Sequence, residues 1–143
     1  MNIPDVEALR AFFARSPFMV DLGVQAVAVE PGRVTAALPL ALRHQQHTGQ
    51  AHAGVMATLA DHAMGSAAQT LASAGTWAIT AELKTSLLRP GTGARLVCEA
   101  WVLKPGRTLS FTEAEVYAEA DDGSPRKLVM KASATMALVA MAS

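Results

Sequence analysis

The chain has one cysteine, so no internal disulfide is available and a hydrophobic core must hold the fold. That cysteine, Cys98, sits in the apolar run Leu96-Val97-Cys98, which fits a reducing compartment. Aromatic residues are scarce at 5%. Alanine is plentiful instead, which points to closely packed elements and to some apolar surface closed by a second copy of the chain. An excess of one charge is also missing. Twelve Lys and Arg balance twelve Asp and Glu, leaving no electrostatic footprint for nucleic acid or an anionic membrane. No uninterrupted apolar run approaches the ~20 residues of a membrane span. The start, Met1-Asn2-Ile3-Pro4-Asp5, lacks the basic and apolar regions of a secretory signal, so a cytoplasmic location is expected. There is no glycine-rich phosphate loop. Ser66, Ser73 and Ser86 lack the Gly-x-Ser-x-Gly setting of a serine hydrolase.

What remains is a chain of 143 residues, 51% hydrophobic, which predicts one domain over 1–143 with a substantial core. Pro4 and Asp5 start a short helix carrying Val6, Leu9, Phe12 and Phe13, ended by Ser16-Pro17; residues 1–20 thus form an N-terminal helical extension. Two short strands follow, Gly23–Val29 and Arg33–Pro39, around the turn Glu30-Pro31-Gly32. The segment Arg43–Gln50 reads as a polar loop too hydrophilic for the core. From Ala53 to Ser73 small residues dominate a long helix, with Gly75 as its stop. Small side chains on several faces suit a helix enclosed by a curved sheet. Trp77, Ile79, Ala81, Leu83, Thr85 and Leu87 then alternate with polar residues in a half-buried strand. Strands Arg95–Lys104, Thr108–Ala120 and Lys127–Val139, separated by tight turns, predict an antiparallel meander. The sum is an α+β fold with one dominant helix on a sheet.

Within the long helix, Asp61 is the residue that demands an explanation. Its neighbours are almost all Ala, Met, Leu or Gly, and it follows His52 by nine residues. A buried carboxylate costs several kcal/mol unless it is paired or used. A backbone N–H or an Arg would satisfy it; so would a role in chemistry.

The motif Gln46-x-x-Gly49-x-x-His52-Ala53-Gly54-x4-Leu59-x-Asp61-x3-Gly65 and the order of elements resemble the hotdog-fold acyl-CoA thioesterases, closest to the phenylacetate-degradation type. Glu82–Gly91, with its Arg89-Pro90 exit, is similar to that family's third strand, and Lys104–Leu109 to its next hairpin. The likeness runs from about Gly23 to Ala137. It implies a hotdog fold, an antiparallel sheet wrapped around one long central helix, and hydrolysis of an acyl-CoA to free acid and coenzyme A without metal or organic cofactor. Gln46 stands where the family commonly has Asn, and Ala53 where it has Gly. Gln keeps the amide donor and acceptor, and Ala53 keeps its backbone N–H.

By this resemblance, Asp61 is the general base or the nucleophile. The Ala53 N–H, with Gly54, polarises the thioester carbonyl at the helix N-terminus, where backbone donors are unpaired and the dipole is positive. Gln46 positions water or the thioester. Thr80 is a candidate partner of Asp61 or the water, and an ordinary strand residue otherwise. His52 is either a helix-start residue or a proton-transfer group. His62, beside Asp61 but turned about 100° away, reads as a packed or surface residue. His44, His47 and His52 suggest a metal cluster, although their spacing matches no standard zinc motif. Arg89, Lys104 and Arg107 lie at strand ends where they could meet coenzyme A phosphates or simply face solvent.

Ala53 and Asp61 are eight residues apart, about 12 Å along a helix. One thioester carbon cannot reach both in one chain, so the expected assembly is a homodimer with shared sites; the resemblance implies the same, extended to a dimer of dimers. Two alternatives share the fold: an acyl-CoA hydratase or dehydratase, relying on a His such as His52, and a non-catalytic acyl-CoA binding protein.

Overall fold

Helix α3 (Ala53–Leu71) is the axis of the molecule. In this computed structural model, which describes residues 3–141, α3 lies across a sheet of six strands. Met1, Asn2, Ala142 and Ser143, included in the predicted 1–143 domain, lie outside the described residues. The strands are β1 (Gln25–Glu30), β2 (Arg33–Pro39), β3 (Thr76–Leu87), β4 (Arg95–Lys104), β5 (Leu109–Glu119) and β6 (Lys127–Ala140). Their spatial order is β1-β2-β4-β5-β6-β3, and every pairing is antiparallel. This is the expected hotdog fold, with β4, β5 and β6 forming the predicted meander.

Small residues let the sheet curve around α3. Ala60, Ala63, Ala67 and Ala68 are buried against Ala36, Ala100, Ala114 and Ala134 of the strands, with Leu59, Met64, Leu96 and Met136 filling the wider gaps. Cys98 is fully buried in this layer, and burial pushes its thiol pKa up, leaving it protonated. Gln69 is buried at the far end of α3. Its Nε2 donates to Thr76 O (2.8 Å) and its Oε1 accepts from Ala78 N–H (3.0 Å), fixing the start of β3 against the helix.

Three expectations need correction. The N-terminal helix α1 (Val6–Ala14) forms, capped by Asp5, and ends before Ser16-Pro17 as expected, but the strands do not follow directly. Pro17 opens a second helix, α2 (Pro17–Leu22), closed by Gly23 at φ 90°. Proline is well suited to the first turn because its missing N–H has no partner to lose there. Second, α3 ends at Leu71, and Gly75 (φ 81°) serves the turn into β3.

Third, β3 is an edge strand and is mostly exposed, not half-buried. Its alternation is also broken. A bulge between Thr80 and Glu82 shifts the register, so Thr80 opposes Met136 while Leu83 opposes Ala134 and Leu87 opposes Met130. Directly opposed residues share a sheet face, and those three partners are buried in the core. Thr80, Leu83 and Leu87 therefore all face the helix side, although a regular strand would put Thr80 opposite the other two.

Candidate active site

The segment before α3 is a small, tightly tied loop. Gln45 bridges Ala51, Gln46 N–H donates to Gln50 O (2.8 Å), and Gly49 takes φ 84° at the tip. Ala51 N–H donates to Gly91 O (2.9 Å), clamping this loop to the β3–β4 connection. Gln46 Oε1 accepts from both the backbone N–H and the hydroxyl of Thr48. Its Nε2 has only a long contact with Gln50 Oε1, at 3.5 Å, so donor capacity remains for a ligand.

His52 is the N-cap of α3, and its Nδ1 accepts from Gly54 N–H at 2.8 Å. This corrects one expectation: the Gly54 N–H is occupied and does not serve beside Ala53 as a carbonyl donor. A Cβ on Gly54 would come within 3.0 Å of that same Nδ1. The glycine thus serves the cap. Ala53 N–H has no partner among the described residues. It opens onto a cavity of about 490 Å³ lined by Gln46, His52, Met56, Arg89 and Gly91. Arg89 also donates from Nη1 to Leu128 O (2.9 Å).

Two turns further along α3, Asp61 occupies a different cavity, of about 340 Å³, with Phe18, Met19, Ala57 and Leu83. Thr80 Oγ1 donates to Asp61 Oδ1 at 2.7 Å. The bulge in β3 permits this contact by turning Thr80 toward the helix. Within one chain, therefore, the structure joins Asp61 with Thr80, and Ala53 with Gln46 and Arg89. It does not join the two groups.

His62 is packed, as expected, but in an unusual way. Its ring meets Phe13 edge-on, with centroids 4.3 Å apart, and Nε2 is buried without a hydrogen-bond partner. Burial lowers its pKa to about 4. Between that value and the unfolded value of 6.5, the unfolded chain binds a proton that the folded chain refuses, so stability falls as pH drops through this window. The expected loss is about 3 kcal/mol. Urea unfolding at pH 7.5 and pH 4.5 should show a drop that His62→Met largely removes; equal drops in both proteins would assign the acid sensitivity elsewhere.

The remaining candidates scatter. His44 lies in a short 3₁₀ turn (Leu42–His44) and is buried, contrary to the loop's hydrophilic reading. Both its ring nitrogens are engaged: Nδ1 accepts from Ala41 N–H (2.9 Å) and Nε2 donates to Leu22 O (2.8 Å). With His52 capping α3, no metal-holding group of three His, Cys, Asp or Glu exists among the described residues. Lys104 and Arg107 sit at the opposite end of the sheet from Arg89. Arg95 and Lys104 mark the two ends of β4, about 30 Å apart along a strand. All three cations cannot meet one coenzyme A within one chain. Sequence reasoning missed α2, although Ser16-Pro17 followed by Gly23 is a start and stop signal. It also missed the contribution of Phe18 and Met19 to the cavity of Asp61.

Among the described residues, no helix is long and apolar enough to cross a membrane. No curated protein matches the chain. Solved structures do. A thioesterase family protein from Silicibacter pomeroyi is 35% identical, with a TM-score of 0.88 over 92% of this chain and 96% of its own. A mutant thioesterase from Pseudomonas aeruginosa is 26% identical, with a TM-score of 0.82 over 98% and 97% of the two chains. The E. coli protein from the phenylacetic acid degradation operon, at 18% identity and a TM-score of 0.82 over 93% and 91%, shares the fold. Residues 48–124, from the loop before α3 to the β5–β6 turn, match the thioesterase superfamily. With more than half of its length matched in this way, the chain belongs to the thioesterase superfamily.

Proposed function

We propose that this protein hydrolyses an acyl-CoA thioester to a free acid and coenzyme A, at sites shared between two copies of the chain. The observation that carries this reading is Asp61: a carboxylate on a mostly apolar helix, hydrogen-bonded by Thr80 at 2.7 Å and opening onto a cavity. One chain contributes Asp61 and Thr80. The other contributes the unpaired Ala53 N–H, with Gln46 holding the water or the thioester.

In the general-base form, Asp61 takes a proton from water as the water oxygen adds to the carbonyl carbon. The carbonyl electron pair moves onto its oxygen, where the Ala53 N–H and the positive end of α3 stabilise the charge. Collapse of the adduct breaks the C–S bond, and the departing thiolate takes the proton from Asp61. In the nucleophilic form, an Asp61 oxygen adds to the carbonyl, the thiolate leaves, and water cleaves the resulting anhydride. Labelled oxygen from water appearing in Asp61 after a single turnover identifies the nucleophilic route.

Reach and the exposed edge of β3 both call for two chains. Ala53 and Asp61 lie about 12 Å apart along α3 and open onto separate cavities. Strand β3 is a twelve-residue edge whose Ile79, Leu83 and Leu87 are exposed. Such an edge is a template for pairing with another strand. A β3-to-β3 pairing would continue the sheet and bring one chain's helix N-terminus toward the other's Asp61. The test is thiol release from short, medium, long and aryl acyl-CoAs. Turnover in the wild type that vanishes with Asp61→Asn supports the reading, and turnover retained in the variant refutes it.

A further inference from the structure

We infer that the cavity beside Asp61 takes the acyl group of the substrate, that this group is uncharged, and that Phe18 of α2 sets its length. This rests on the reading of Asp61 as the reacting carboxylate. A thioester carbonyl carries two substituents, and the cavity at Asp61 must receive one of them. The chemistry of the two cavities decides which.

The cavity at Asp61 is walled by Phe18, Met19, Ala57 and Leu83, and it contains no Lys or Arg. Asp61 is its one carboxylate. The only other ionisable group on its wall is His62, which burial holds neutral at physiological pH. A phosphorylated carrier or a dicarboxylic acyl chain would place anionic charge against Asp61 with no compensating cation. The cavity at the N-terminus of α3 is also partly apolar, with Met56, Leu87 and Leu88 on its wall, and differs in its charge. It has Arg89, the amides of Gln46 and Gln50, and a free backbone N–H, all suited to a polar, anionic carrier. Coenzyme A therefore leaves by the Ala53 side, and the acyl group points toward α2.

The wall that closes this path is adjustable. Phe18 is 59% exposed and Leu83 38%, so neither is locked into the core. Met19, by contrast, is 5% exposed and belongs to the packed base. Phe18 lies on a six-residue helix joined to α1 at Ser16-Pro17. It is the large side chain that a longer acyl group must displace or stack upon. In a hydrophobic pocket each methylene is worth roughly tenfold or more in discrimination, so one aromatic ring is enough to set a length limit.

The test compares wild type, Phe18→Ala, Phe18→Trp and Asp61→Asn on acyl-CoAs of increasing length, with glutaryl-CoA as the anionic probe and free coenzyme A as a product inhibitor. Phe18→Ala should shift the kcat/KM ratio of long to short acyl groups by about tenfold toward long, and Phe18→Trp should shift it the other way. Inhibition by free coenzyme A should not change, and glutaryl-CoA should be turned over at least tenfold less well than its neutral counterpart. An unshifted length profile with Asp61→Asn inactive overturns the acyl assignment alone. So does a Phe18 effect confined to coenzyme A inhibition, and equal turnover of glutaryl-CoA overturns the charge preference. Turnover retained in Asp61→Asn overturns the underlying reading instead. Because Phe18 is largely exposed, both of its variants should fold, which circular dichroism checks directly.

Discussion

Asp61→Asn is expected to lower kcat by about 10²–10⁴-fold while leaving the fold and ligand affinity largely intact. The amide keeps the shape of the carboxylate and can still accept the Thr80 hydroxyl hydrogen, 2.7 Å away in the wild type. What it loses is the basicity needed to deprotonate water and the negative charge needed to attack a carbonyl. Both chemical routes fail together, so a large loss is expected whichever one operates. The check is kcat from thiol release together with coenzyme A binding by calorimetry. A large fall in kcat at constant affinity fits removal of an interaction made only in the transition state. A fall in affinity with kcat preserved would place Asp61 in binding.

The second large effect is expected from Ala53→Pro. Ala53 is the first residue of α3 and its N–H is unpaired. Proline is favoured at that helix position, because its fixed φ suits the first turn and no intrahelical bond is lost. His52 already has the extended backbone (φ −61°, ψ 139°) that a residue before proline prefers. The substitution therefore removes one hydrogen-bond donor and little else. If that donor holds the oxyanion, kcat should fall about 10²–10³-fold with thermal stability near that of the wild type. Wild-type kcat in a folded Ala53→Pro protein would exclude this N–H from the chemistry.

Together the two variants test the shared site. On the proposed two-chain site, each variant alone is expected to be inactive. If the site is shared as proposed, a mixed dimer would have one intact site, with Asp61 from the Ala53→Pro chain and Ala53 from the Asp61→Asn chain, and one site carrying both lesions. Unfolding and refolding an equal mixture should restore about a quarter of wild-type activity, since half the dimers are mixed and each has one good site. No recovery would place both groups in one chain's site.

Much of this was legible in the residues. The boundaries of β2 and β4 fell where turn chemistry placed them, and α3 was marked by its alanines, because hydrophobic period and Gly or Pro punctuation are local signals. The helix axis alone also separated Ala53 from Asp61. Other features depend on contacts that no spacing records. His44 is buried because two backbone groups from distant positions, Ala41 N–H and Leu22 O, happen to satisfy its ring. Gly54 stands at a donor position by spacing, but the His52 side chain occupies its N–H. The exposure of β3 follows from sheet order, since a strand read by alternation alone carries no sign of whether it lies at an edge. Pro17 carried a usable signal, but proline marks both the end of one helix and the start of the next.

The bulge in β3 has a consequence for how this strand tolerates insertion and deletion. Ala81 is the unpaired residue that lets Thr80 and Leu83, three apart, look in the same direction. Deleting it would close the bulge and leave Thr80 and Leu83 two apart, still on one face against Met136 and Ala134. Substituting Ala81 leaves the count unchanged and should matter little. The position is therefore nearly free in both length and identity, because the facing of Thr80 and Leu83 is held by their partners on β6 and not by the residue between them.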